Sequence, residues 1–219
     1  WFMEMDNYIN NGVYPDGSSM NYLTLYNTFE SNFGAEIAAW GDEMANHHHF
    51  MTWNGATWVQ LTDGAALGTT YDEHNNALDR MVLDAGFFPT TYRSGWLWES
   101  SQLQAWIEKW MLADYGYGGS PTQPSGMNHW NLGSDGGPNQ GNINAAFAQA
   151  AATGKPVIYS WYCHDRENMP GNISALQSYV AAAQASSGVP FRYATAKQAM
   201  QAWMSTTDTT PPVLAVAPA

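Results

Sequence analysis

What most constrains the fold is an alternation. Short apolar runs that end in polar, chemistry-bearing residues are separated by stretches with helical periodicity. The clearest run is 155–163, Lys-Pro-Val-Ile-Tyr-Ser-Trp-Tyr-Cys, with His164 and Asp165 at its C-terminal end. Residues 1–8, Trp-Phe-Met-Glu-Met-Asp-Asn-Tyr, form another, and Glu4 and Asp6 stand two apart on it, so both project from one face of a strand. After the turn-rich segment 10–19, residues 21–33 repeat Tyr22, Leu25, Tyr26 and Phe29 on one helical face, and Gly34 is expected to end that helix. A short apolar strand is expected at 35–40, with Gly-Asp-Glu-Met-Ala-Asn-His-His-His (41–49) beyond it. A carboxylate-bearing strand, a helix and a histidine-bearing strand make a βαβ unit. Parallel strands bring their functional residues together at their C-terminal ends, so Asp6 and His47 are expected to converge.

The rest of the chain continues the pattern. Residues 53–70, rich in Gly, Thr and Trp, read as loop. Asp72 is the expected cap of a helix over 73–84 that carries Leu78, Met81, Val82 and Leu83, closed by Gly86. The next strand is 87–93, with 94–98 as its exit loop. Ser100 caps a helix reaching Trp110, with Leu103, Trp106, Ile107 and Trp110 as its buried stripe. Residues 115–137 are Gly/Pro/Ser-rich without a clear element, the kind of long loop that carries function or moves. Helices over 144–152 and 174–186, a last short strand at 190–194, and a helix capped by Thr195 complete the count. Residues 206–219 form an extended, stiff Thr/Pro spacer. The expected organisation is one α/β domain over 1–204 and a linker over 205–219 leading to a further module.

Charge narrows the partners. Seven Lys and Arg against nineteen Asp and Glu leave a formal net charge of −12, which repels phosphate backbones and anionic lipid and favours neutral or cationic polymers. There is no run of 18 apolar residues, so no membrane insertion is expected. No secretory leader is visible; the chain opens directly on an apolar, strand-like stretch and reads as a piece of a longer protein. The single cysteine, Cys163, has no partner for an internal disulfide and is assigned no role. Eleven Trp and twelve Tyr are many for 219 residues, and a surplus beyond the core would suit a cleft for sugar rings, whose apolar faces stack on aromatic planes.

Three of the six histidines stand side by side at 47–49. Neutral imidazole is the commonest protein ligand for zinc and similar metals, and His47 and His49 point the same way if the segment is extended. The alternative is a solvated polar loop. Glu4 and Asp6 on one side of a buried strand are tolerable with a cation or a proton between them; the alternative is an exposed strand end. His74 is expected on a polar helix face, and His129 in the long loop.

The order of these signals is more telling than any one of them. Carboxylates on the first strand are followed by Glu43-Met44-Ala45-Asn46-His47, then by Phe88-Pro89-Thr90-Thr91-Tyr92-Arg93-Ser94-Gly95-Trp96. Asp114-Tyr115-Gly116-Tyr117 comes next, and a late strand ends in His164-Asp165. This order resembles the polysaccharide deacetylase family (the NodB-homology domain, among the carbohydrate esterases) over roughly residues 1–204. The resemblance implies a distorted (β/α)7 barrel, a divalent metal, usually zinc, held by one Asp and two His, and hydrolysis of N-acetyl or other acyl groups from an amino-sugar polysaccharide. It implies Glu4 as base and Asp6 as metal ligand, with the two roles exchangeable. His47 and His49 become the imidazole ligands. Met51 stands where the family places its second histidine, so His48 in place of His49, or no second imidazole, stays open. Arg93 matches the arginine that orients the base, His164 the histidine that protonates the departing amine, and Tyr92, Trp96, Trp98, Trp161 and Asp165 are expected at the substrate. A secreted or cell-surface enzyme, monomeric within a multidomain chain, is the expectation. Two rivals are a metal-free glycoside hydrolase using Glu4 with Asp6 or Asp165 and a catalytically silent carbohydrate-binding surface module.

Overall fold

Parallel strands must be joined by long crossovers, usually helices, and both faces of their sheet must be covered. The computed structural model contains such a parallel sheet. It describes residues 2–4, 22–48, 51–53, 56, 58–60, 75, 78, 79, 81–83, 86, 88–95, 101–115, 130–133, 135–164 and 166–207. The chain divides into two units, Trp1–Asp135 and Gly136–Ala219.

The first unit is built on five strands: β1 (Phe2–Glu4), β2 (Ala45–His48), β5 (Thr91–Ser94), β6 (Ala113–Asp114) and β7 (Trp130–Asn131). Their order across the sheet is β1-β2-β5-β6-β7, with every neighbouring pair parallel. Order in space follows order in sequence without reversal. Helix α1 (Tyr22–Trp40) makes the first crossover, and α2 (Ser101–Trp110) joins β5 to β6. All four residues of β5 are buried, as a strand covered on both faces requires.

α1 corrects two expectations. The helix does not stop at Gly34, and 35–40 is its last part rather than a strand. Ala-Glu-Ile-Ala-Ala has strong helix propensity, enough to carry the chain past one glycine at a cost of about 1 kcal/mol. The gap left by Gly34 is used: a Cβ there would meet Glu30 Oε1 at 2.5 Å. The helix ends instead before Gly41, whose φ of 68° is a conformation L residues avoid. His47 and His48 lie within the following strand, not beyond it. Residues 53–70 also hold more than loop, since β3 (Met51–Trp53) and β4 (Trp58–Gln60) pair antiparallel as a hairpin between β2 and β5. Likewise β7, inside the stretch expected to lack elements, adds the fifth parallel strand.

The core under the sheet is the cluster Leu78, Tyr92, Leu103, Trp106, Ile107 and Met111. Leu103, Trp106 and Ile107 follow the expected α2 stripe, each worth roughly 1.5–3 kcal/mol on full burial. Trp110 departs from it, lying at the exposed edge with Lys109 Nζ 4.6 Å above its ring. The described residues between 75 and 83 are helical, and Asn75 Oδ1 accepts the Trp106 indole N–H at 2.9 Å.

The second unit packs α3 (Gln140–Thr153) against α4 (Met169–Ser187) through Ile143, Leu176, Val180 and Ala183. Asn139 caps α3 by accepting from Asn142 N, and Gly154, at φ 64°, closes it. The long apolar run 155–163 is paired only over β9 (Trp161–Tyr162), against the two-residue strand β8 (Asp135–Gly136) at the division between units. Residues 190–194 are not in a paired strand. Helix α5 (Ala196–Thr207) starts from Thr195, which exchanges bonds with Gln198 in both directions: Gln198 N donates to Thr195 Oγ1 at 3.3 Å and Thr195 N to Gln198 Oε1 at 3.2 Å. Among the described residues no helix is long and apolar enough to cross a membrane.

Candidate functional site

Five parallel strands deliver five chain ends to one edge, and every one of those ends is polar: Glu4, His47 and His48, Arg93 and Ser94, Asp114, and Asn131. The C-terminal edge of a parallel sheet is where α/β proteins build their sites.

Register sorts these residues into two rows. Glu4, His47 and Arg93 are neighbours on three adjacent strands. At about 4.8 Å per strand, Glu4 and Arg93 are about 10 Å apart at Cα with His47 between them. The alternate positions form the second row: Met3, Asn46, Tyr92, Asp114 and Asn131. Because side chains alternate along a strand, His47 and Arg93 face one side while Asn46, Tyr92 and Asp114 face the other.

His47 is 8% exposed and Arg93 6%. A short bond holds the His47 ring, Nδ1 to the Arg93 main-chain oxygen at 2.7 Å. A carbonyl can only accept, so Nδ1 carries the hydrogen, and in the neutral form of the ring Nε2 holds the lone pair. That is the form in which imidazole ligates a metal or takes a proton, and a ligating histidine is commonly held in this way through its other nitrogen. Among the described residues no three His, Cys, Asp or Glu side chains gather as a metal site. Asp6 and His49, the expected co-ligands, lie outside the described residues, as do Trp96, Trp98 and Asp165. His48 takes the alternate register position, beside Ser94.

Below this row, toward the strand starts, lies a polar group that the sequence did not single out for a role. Glu43 Oε1 accepts from Thr90 Oγ1 at 2.8 Å and from Thr91 Oγ1 at 3.1 Å. Burial pushes the Tyr115 hydroxyl well above its ordinary value, and the Glu43 carboxylate pushes it the same way. The signal was present in the spacing: Glu43 precedes His47 by four and Thr91 precedes Arg93 by two, both even numbers along extended chain. On the other face, Asn46 is 1% exposed, and its Oδ1 has no hydrogen-bond partner among the described residues. Tyr92, expected at the substrate, is fully buried in the core cluster with its ring 5.8 Å from Trp106 in an edge-on arrangement.

In the second unit His164 follows β9, and its Nδ1 lies 2.6 Å from Glu167 Oε1. The Tyr162 ring stands edge-on to the imidazole at 5.5 Å. Tyr162 in turn lies close to Gly136, where a Cβ would meet the Tyr162 hydroxyl at 3.1 Å. Trp161, expected at the substrate, is half-buried and packs against the α3–α4 cluster. Glu167 carries no sequence motif of its own, but its i,i+3 spacing from His164, just before the Asn-Met-Pro helix start, marks it. Against known proteins, no family model, no curated protein and no solved structure matches the chain.

Proposed function

We propose that this protein is a metal-dependent hydrolase that removes N-acetyl or other acyl groups from an amino-sugar polysaccharide, on a distorted (β/α)7 barrel. The observation that carries the reading is the row Glu4–His47–Arg93 at the C-terminal edge of the parallel sheet, with the His47 ring bonded through Nδ1 to the Arg93 main-chain oxygen. A carboxylate, an imidazole and a guanidinium on adjacent strands are the parts that an acyl-transfer hydrolase needs within reach of one another.

The donor chemistry of His47 fits a zinc-like ion. His47, Asp6 and His49 are the residues we assign to holding it. When bound, such an ion supplies Lewis-acid polarisation of the acyl carbonyl and a more acidic water. The chain's own groups do the remainder. Glu4 takes the proton from the attacking water. Arg93, buried on the His47 face, holds the Glu4 carboxylate in position through its planar donors. The family resemblance assigns to His164 the proton for the departing amine. A net charge of −12 suits a product polymer whose amines become cationic as acyl groups leave.

The test is metal content and acetate release on the purified chain. About one zinc per chain and acetate release from N-acetylated glucosamine or galactosamine oligomers are expected, both lost in His47→Ala and Asp6→Ala. Oligosaccharide cleavage that survives chelation would replace this reading with a glycoside hydrolase. Sugar binding without any hydrolysis would replace it with a silent binding module.

A further inference from the structure

We propose that Glu167 is a positioning residue that fixes His164 in the tautomer with hydrogen on Nδ1 and the lone pair on Nε2; its catalytic relevance rests on the reading above, its geometry does not. The contact is 2.6 Å between Nδ1 and Glu167 Oε1, at the short end for a hydrogen bond between a nitrogen and a carboxylate. An ionised carboxylate accepts and cannot donate, so the hydrogen sits on Nδ1. The Glu167 carboxyl is held below its ordinary value first of all by this bond to His164, which keeps it ionised and accepting.

The backbone repeats the link. Glu167 N donates to His164 O at 3.0 Å, closing a turn on which both side chains are carried. The turn leads directly into α4, where Asn168 Oδ1 accepts from Gly171 N at 3.1 Å. Glu167 therefore sits at the start of a capped 19-residue helix rather than on a free loop. The Tyr162 ring also meets the imidazole edge-on, at 88°. The ring is thus set by a carboxylate at Nδ1 and an aromatic neighbour, and Nε2 becomes the nitrogen through which His164 exchanges protons with a substrate.

Imidazole nitrogen NMR of the full chain, recorded above the histidine titration range without substrate, reads the tautomer directly, with His164→Asn used to assign the signals. The Nδ1–H form is expected in the unsubstituted protein and in Glu167→Gln, which keeps an acceptor oxygen. A shift toward Nε2–H is expected in Glu167→Ala. If hydrolysis is found, Glu167→Ala should lower kcat roughly 10- to 100-fold with KM little changed. An Nε2–H ring in the unsubstituted protein, or an unchanged tautomer in Glu167→Ala, overturns the assignment. The Nδ1–H form in a protein that releases no acetate supports the assignment while ending the deacetylase reading.

Discussion

His47 hangs from the main chain of its neighbour strand: its Nδ1 is bonded to the carbonyl oxygen of Arg93, while the Arg93 side chain is buried on the same face. Residue 93 thus meets His47 through its backbone oxygen while its side chain lies buried on the same face, and the two contributions can be separated. Arg93→Lys and Arg93→Met are expected to leave the His47 tautomer as it is, because β5 still presents the same oxygen. If the protein is the proposed hydrolase, activity should fall by roughly 10- to 100-fold, the usual loss when a group that orients a catalytic residue is removed. Lys is not expected to rescue, since a point charge does not replace a planar fork. Nitrogen NMR of His47 beside kcat/KM checks both halves.

The Glu43 carboxylate draws on two neutral donors, Thr90 and Thr91. Thr91→Val removes one of them at nearly constant volume and should destabilise the fold by about 1–3 kcal/mol, with Thr90→Val similar. Because both threonines meet one oxygen, the double variant is expected to depart from additivity. Urea midpoints at unchanged m-value measure this.

Tyr115 carries a pH signature. Its hydroxyl is raised above the ordinary 10.0, so the folded state holds the proton more tightly than the unfolded chain does. The resulting stability is fully present below about pH 10 and is lost as pH climbs from there toward the raised folded value. Ultraviolet titration of Tyr115→Phe against the unsubstituted protein should show one late-ionising tyrosine missing, and the variant should lose less stability between pH 10 and 11.

How much of this was legible beforehand depended on the physics of each segment. The α2 stripe and Thr195 as a helix cap could be read because periodicity and a Thr-x-x-Gln pairing are local properties. The end of α1 could not, because Gly34 is a helix breaker only on average, and here its missing side chain makes room for Glu30. β7 was hidden because a two-residue strand has no periodicity of its own; its pairing with β6 defines it. The row Glu4–His47–Arg93 was half visible. Residue types and order gave the three members, but which of 46, 47 and 48 stands beside 93 is a matter of register, which only the sheet decides. Spacing points at Glu43 and at Glu167, but that Glu43 accepts from two threonines and that Glu167 meets His164 at Nδ1 are settled only by the fold.

Tyr92 offers a control on the second face of the sheet. It is fully buried against Trp106, so Tyr92→Ala should cost about 3–5 kcal/mol by leaving a cavity, and Tyr92→Phe far less. If Tyr92 acts only in packing, KM for oligosaccharide is unchanged in Tyr92→Phe. Thermal unfolding alongside KM decides it.

The start of α4 is a further local test. Asn168→Ala removes the bond to Gly171 N and should cost about 1 kcal/mol. Gly171→Ala should cost a comparable amount, because its new Cβ would meet Asn168 Nδ2 at 2.5 Å and push the cap aside. Amide exchange at 171 reports either loss.

The β3–β4 hairpin leaves the sheet three residues after His48 and returns before β5, so it is spliced into a connection rather than into the ladder. Lengthening, trimming or exchanging that excursion would not disturb the pairing of β2 with β5. A lineage could therefore rewrite this one appendage while the order and register of the parallel sheet stayed untouched.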